Sequence, residues 1–329
     1  MLASVNAAAI AGGIAGGLAG LSIIYVLTCY IAYRLLIVKP PVFSTDKANA
    51  LMGEDFPALV QKTQQDITVL KKLPSETVEV ITKDGLKLKG VFYPAAEKSL
   101  VTFVCLHGYN SSGYGDFGSR ALRYIRNGYN VLLVNHRHHA ESEGKYIGFG
   151  VLDRHDVLCW LDAVNKKIPD GEIFISGVSM GGATAMQCSC LALPENVKGI
   201  IEDCGYTSVK EEFEFQCRRV VRFVPKFLLA GINFFMKRFA GYGMNDINSV
   251  DAVAHSKVPI LFIHGDSDIF VPTEMVYRCY NACTADKELY IVKGAEHAMA
   301  EFKGGEEYEK RINDFVKKHS RILKGEESE

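Results

Sequence analysis

From Met1 to Tyr33 the chain carries no Asp, Glu, Lys or Arg. Ile14 to Val38 is apolar apart from small or hydroxyl residues and Arg34, a run longer than the roughly 20 residues that cross a bilayer as a helix. A buried core helix is rarely so long and uncharged, so residues 1–40 read as a transmembrane anchor. Basic residues are also missing ahead of the run, and no small-residue cleavage site closes it, which makes a cleaved signal peptide the weaker reading. Arg34, Lys39 and Lys47 follow the span, which predicts a cytoplasmic domain with Met1 outside. An exported domain behind a short uncharged amino terminus stays open.

Excess charge of either sign is absent, with a net charge of -1, so nothing calls for nucleic acid or a strongly acidic partner. Nine cysteines are present without the spacing of a disulfide framework, a zinc site or a CxxC pair, and Cys105 and Cys159 lie in apolar stretches. Buried free thiols are expected. Internal repeats are lacking beyond the glycine-rich start, where Gly12, Gly16 and Gly20 share one helical face. That spacing would let two such helices self-associate closely; the alternative is that small residues are common in such helices.

The rest of the chain fits one globular domain. Lys47 to Leu73 reads as a polar, helix-favouring stalk, giving a stalk over 41–74 and a domain over 75–329. "TVEVITKDGLKLKGVFYP" alternates with period two around Asp84-Gly85, a hairpin signal. Apolar strands then alternate with helical patterns expected over 119–127, 151–164, 183–193 and 306–323. The count is eight strands, in an α/β arrangement with a mostly parallel sheet covered on both faces. Residues 206–257 are too long for an ordinary connection and hold the Phe-rich, basic "FQCRRVVRFVPKFLLAGINFFMKRFAGYG". A helical cap that supplies the substrate pocket's walls is the favoured reading. A membrane-surface helix using Arg218, Arg219, Arg222, Lys226, Lys237 and Arg238 and a plain long surface excursion are the alternatives, and the cap and membrane roles are compatible.

"ISGVSMGGATA", residues 175–185, crowds Gly177, Gly181 and Gly182 around Ser179, after an apolar strand and before a helix. A sharp strand-to-helix reversal needs neighbours without Cβ atoms, so the context predicts a nucleophile elbow. A serine hydroxyl needs a base and an orienting acid. His297 in "VKGAEHAM" follows the last strand and Asp268 in "HGDSDIFVP" follows the one before, at the edge where parallel sheets build their sites. Asp203, ending the sixth strand, and Asp266 are rival acids.

With "HGYNSS", "GVSMGG", "HGDSDIFVP" and "GAEHA" in this order, residues 75 to 322 resemble the α/β-hydrolase fold, and more narrowly the membrane-anchored serine aminopeptidase-like (S33-type) hydrolases. The resemblance implies Ser179 as nucleophile, His297 as general base and then acid, Asp268 as the orienting carboxylate, and backbone N–H groups of Tyr109 and Met180 as the oxyanion hole. It implies no cofactor and no metal. The expected activity is cleavage of an ester, thioester or amide of a small or acyl substrate; the alternative is an inactive membrane-anchored binding protein on the same scaffold. One departure is "NHRHHAES", residues 135–142, where the family often has D-x-R-G-H-G-x-S. His136, His138 and His139 there, with the later His155, invite a metal reading beside that of a polar loop near the site.

Overall fold

The computed structural model describes residues 7–40 and 53–325. Met1, Lys47 and the first part of the expected stalk lie outside the described residues. Helix α1 (Ala7–Tyr33) runs into a π-helical turn at Arg34–Val38, and α2 is Phe56–Leu70. The domain then reads β1 (Glu76–Ile81), β2 (Lys87–Tyr93), β3 (Val101–Leu106), α3 (Gly113–Arg126), β4 (Asn130–Val134), α4 (Asp153–Lys167), β5 (Glu172–Val178), α5 (Met180–Cys188) and β6 (Val197–Asp203). After β6 come α6 (Val209–Val221), α7 (Lys226–Phe235), a π turn (Met236–Ala240) and α8 (Ser249–Ala254). Strand β7 (Ile260–Gly265), α9 (Glu274–Ala282), β8 (Lys287–Val292), α10 (Ala300–His319) and α11 (Arg321–Lys324) complete the described residues.

One sheet of eight strands has the order β1-β2-β4-β3-β5-β6-β7-β8, antiparallel at β1, β2 and β4 and parallel from there on. Period two explains why both faces are covered. Along β3, Phe103 and Cys105 face the cluster built with Phe117 of α3 and Phe315 of α10, while Val104 and Leu106 face the one built with Trp160 of α4 and Met186 of α5. Every residue of β3 and β5 is buried as a result. The β1-β2 turn closes with Gly85 at φ 84°, its N–H donating to Thr82 O at 3.0 Å.

Several helix boundaries differ from the sequence expectation, each for a local reason. Helix α3 starts at Gly113, six residues before the expected Ser119, because Ser112 caps it through the Gly115 N–H at 3.1 Å and offsets the glycines of its first turns. Helix α5 starts at Met180 and stops at Cys188, short of Pro194. The last helical run begins at Ala300 and contains a break at Gly305, with φ 51° and ψ -125°, so residues on either side form separate straight segments. Helix α2, from the expected stalk, lies on the domain, with Thr63, Ile67 and Leu70 buried and Asp66 accepting from Ser119 Oγ of α3 at 2.7 Å.

A third apolar cluster lies beyond the sheet's carboxyl edge. It joins Tyr33 and Ile37 from the amino-terminal helix to Leu229, Ile232 and Met236 of the 206–257 segment and to Met180 under the elbow. Burying Ile37 there stabilises the contact by roughly 2 kcal/mol. The nine cysteines are free thiols, most of them buried.

Candidate active site

The β5-to-α5 reversal holds Ser179 at φ 54° and ψ -117°, a conformation a non-glycine residue adopts only under constraint. The glycines supply that constraint. A Cβ on Gly177 would overlap the Gly181 carbonyl, and one on Gly181 would overlap the carbonyl of Leu106 at the end of β3. The turn therefore closes onto the neighbouring strand, and Ser179 N–H donates to Asp203 O of β6 at 2.8 Å. Nothing larger than hydrogen fits at either glycine.

Ser179, His297 and Asp268 come together at the carboxyl edge of the sheet. His297 Nε2 lies 2.8 Å from Ser179 Oγ, and its Nδ1 lies 2.7 Å from Asp268 Oδ2. Asp268 Oδ1 accepts the Phe270 and Val271 N–H groups, both at 2.8 Å, which leaves Oδ2 for the imidazole. Burial opposes the charged carboxylate, but His297 and His264 beside it hold Asp268 below the usual carboxylate range. With Nδ1–H donating to that carboxylate, Nε2 is the acceptor for the serine hydroxyl.

The rival acids are engaged elsewhere. Asp203 Oδ2 accepts from Arg120 at 2.7 Å and from the Tyr308 hydroxyl at 3.0 Å, inside the fold. Asp266 Oδ1 accepts the Gly294 N–H at 2.6 Å and ties the loop after β7 to the loop after β8. Asp156 pairs with Arg137 at 2.7 Å, and Arg137 also reaches Asp84 of the first hairpin.

The "HGYNSS" loop abuts the elbow: a Cβ on Gly108 would stand 3.3 Å from Ser179 Cβ. Two groups hold its backbone. Asp116 accepts from Gly108 N–H at 2.6 Å and from Ser111 Oγ at 2.7 Å. His139 Nε2 accepts the Asn110 N–H at 3.2 Å while its Nδ1 donates to Arg137 O at 2.9 Å. His107 repeats the pattern, accepting the His136 N–H and donating to Gly108 O. Each of these two rings thus spends its lone pair on a backbone N–H, which requires the neutral form. Burial and the neighbouring His136 ring push His139 down to about 4, and burial with His136 and His139 drives His107 well below the ordinary histidine range. The tight, deviant "NHRHHAES" loop is a frame for the loop carrying Tyr109.

Asp116, His264 and Glu212 were missed by sequence reasoning. His264 ends β7 and sits 3.3 Å from Asp268 Oδ2; against its burial, that carboxylate raises its proton affinity. Glu212 reaches in from α6, where burial, opposed by Gln216 and His297, pushes it up to about 7. Its Oε1 accepts from Gln216 at 2.6 Å. Only the HG before the acid loop hinted at His264, and the spacing of α6 gave no hint of which residue would turn inward.

A cavity of about 300 Å³ opens beside Val178 and Ala298, the neighbours of Ser179 and His297. Its walls are Phe56, Leu59 and Val60 of α2 together with Tyr109 and Arg120. Sequence reasoning put the pocket walls in 206–257, but no residue of that segment lines this cavity. Phe56, Leu59 and Val60 of α2, from the expected stalk, line it instead.

The fold is the α/β-hydrolase fold, with a serine, a histidine and an aspartate gathered at the carboxyl edge of its sheet, and the chain is similar to esterases, lipases and peptidases. The serine aminopeptidase, S33 family matches residues 97–243, a stretch that includes the elbow and ends before Asp268 and His297. The uncharacterised protein YqkD of Bacillus subtilis is 28% identical over 233 residues, covering 70% of this chain and 76% of that protein. Lysophosphatidylserine lipase ABHD12 of Danio rerio is 25% identical over 193 residues, or 56% of this chain and 47% of its own. Among solved structures, the Pyrococcus furiosus esterase Pf2001 superposes with a TM-score of 0.63 at 24% identity, covering 78% of this chain and 93% of its own.

Proposed function

We propose that this chain is a membrane-anchored serine hydrolase that cleaves a carboxylic ester, thioester or amide through an acyl-enzyme. The observation that carries the reading is the unbroken line from Ser179 Oγ through His297 to Asp268, at 2.8 and 2.7 Å. In this mechanism Ser179 Oγ attacks the substrate carbonyl as His297 Nε2 takes its proton. Asp268 keeps the imidazole in the required tautomer and stabilises the imidazolium. Backbone N–H groups of Tyr109 and Met180 receive the developing oxyanion, each contributing about 3 kcal/mol to the transition state. Collapse of the tetrahedral intermediate passes the proton from His297 to the departing alcohol, thiol or amine. Water then attacks the acyl-enzyme by the same route and releases the acid.

The apolar side of the 300 Å³ cavity supports a substrate with an apolar acyl group, and an acyl ester is the first choice among the three bond types. Purified full-length protein is assayed against p-nitrophenyl esters of increasing chain length beside aminoacyl amides. Ester turnover that rises with acyl length and disappears in Ser179→Ala is expected. Turnover of amides alone would move the reading to a peptidase, and equal turnover by Ser179→Ala would overturn the mechanism.

Anchoring is supported by a helix of sufficient length and apolarity over Ile10–Val38. Arg34 and Lys39 at its carboxyl end favour the catalytic domain in the cytoplasm. An impermeant protease added to intact cells would then leave the domain whole until lysis, and digestion before lysis would put it outside.

A further inference from the structure

The amino-terminal helix is fastened to the catalytic domain at its carboxyl end. Tyr109 OH donates to Leu36 O at 2.9 Å, Ile147 N–H to Ile37 O at 2.9 Å and His138 Nε2 to Val38 O at 2.6 Å. Higher up, α1 and α7 run side by side in the same direction. Tyr25 OH donates to Phe227 O at 2.8 Å, Cys29 packs where Gly231 leaves no room for a Cβ, and Tyr30 and Tyr33 stack against Phe235 and Phe239. A helix held this way dictates where the domain stands when the helix is in a bilayer.

The candidate span covers Ile10–Val38, longer than the roughly 20 helical residues that cross the hydrocarbon, so its carboxyl-terminal part emerges on the side of the domain. There α7 meets α1, from Tyr25 to Tyr33. The 206–257 segment therefore reaches the bilayer surface, and it presents apolar rings there. Phe227 is 83% exposed and Val220 73%, and Phe223, Phe234 and Phe239 are exposed as well. Exposed aromatic area of this size on one edge marks an interaction surface. Arg218, Arg222, Lys226, Lys237 and Arg238 are exposed along the same elements, suited to anionic headgroups just outside the hydrocarbon.

We infer that the edge formed by Val220, Phe223, Phe227, Phe234 and Phe239 is seated in the surface of the bilayer that α1 spans, with its basic residues on anionic headgroups. The inference rests on the anchoring proposed above and adds that the cap itself is a lipid-contacting element.

Trp160 is the chain's one tryptophan and is buried in the core, so it provides a constant background and a report of folding. Full-length Leu18→Trp, Phe223→Trp, Phe227→Trp and Leu323→Trp variants are reconstituted in anionic vesicles. The lipids carry bromine either near the head or near the end of the acyl chain. The expected result is that tryptophan at 227 or 223 loses about half its emission to the shallow bromines, as an interfacial ring does. Tryptophan at 18 is quenched by the deep bromines, and at 323, beyond the opposite edge of the sheet, by neither. Quenching at 18 without quenching at 223 and 227 would overturn this inference and leave the anchor standing. No quenching at 18 would overturn the anchor and this inference with it, whatever happens at 227. Emission at 223 and 227 shielded equally by plain and brominated lipid would assign the edge to a second copy of the chain and also overturn it.

Discussion

The carboxyl edge of the sheet and the helical face above it are built by opposite means. At the sheet edge, Ser179, Asp268 and His297 each sit in a short loop whose backbone is tied down, by the Asp203 carbonyl, by Asp268's own two N–H partners and by the strand before it. Above it, α1, α6 and α7 meet through rings and aliphatic side chains, with few hydrogen bonds and with large apolar groups left exposed. Directional bonds fix atoms to tenths of an ångström, as proton transfer requires, whereas apolar contact fixes only a surface. Chemistry and access are therefore separable in this fold.

The separation breaks most visibly if the acid is moved. Asp268→Asn is expected to lower kcat by about 10⁴ because the wrong imidazole tautomer is favoured, with KM little changed. Asp203→Asn leaves kcat within about tenfold, since Asp203 serves Arg120 and Tyr308. Equal losses from the two would dissolve the distinction between them.

The frame around the Tyr109 loop comes next. His139→Ala removes the acceptor for the Asn110 N–H and is expected to cost roughly tenfold to a hundredfold in kcat through a displaced loop. His139→Gln, which keeps an acceptor, recovers most of it. A purely packing role would make the two variants alike.

Burial without full partnership sets the pH dependence of stability. Glu202, at the end of β6, keeps one oxygen on Gly205 N–H, and burial pushes it up to about 8. The folded state holds its proton while the unfolded chain has lost it, so between the ordinary glutamate range and pH 8 stability falls as pH rises, by up to about 1.4 kcal/mol per pH unit. Glu202→Gln removes that slope. Urea titrations at pH 5, 6.5 and 8 (~1 M-spaced points) check it, and an unchanged slope would mean that Glu202 is ionised in the fold.

The smallest expected effect belongs to the helical face. Tyr25→Phe loses the bond to Phe227 O and is expected to cost about 1 kcal/mol. Faster amide exchange over 226–230 in reconstituted protein would register it, while exchange in β5 stays unchanged.

The same division explains what the sequence made legible. Glycines around Ser179, and the short stretches carrying Asp268 and His297, announce themselves because each constraint lies within a few residues of the group it serves. The first two strands were readable from period two around Asp84-Gly85, and the inner ones from apolar runs that alternate with helical patterns, since a sheet covered on both faces buries every residue of its central strands. Asp116 and His264 were not readable, although their partners lie within eight residues, because a lone aspartate in the first turn of a helix and a histidine near the end of a strand carry no motif of their own. Helix α2 looked like a stalk from its polarity, although Thr63, Ile67 and Leu70 are buried against the domain and Phe56, Leu59, Val60 and Thr63 wall a cavity. The docking of α1 on α7 was invisible for a different reason: an all-apolar helix has no distinct face from which a partner can be inferred.

The claim that Ser179 is an activated nucleophile is tested most directly by treating the full-length protein with a fluorophosphonate and mapping the adduct by mass spectrometry. The account predicts one phosphonate per chain on the peptide containing Ser179, none in Ser179→Ala, and labelling slowed by orders of magnitude in His297→Ala. An unlabelled wild type, or an adduct on any other residue, would contradict it.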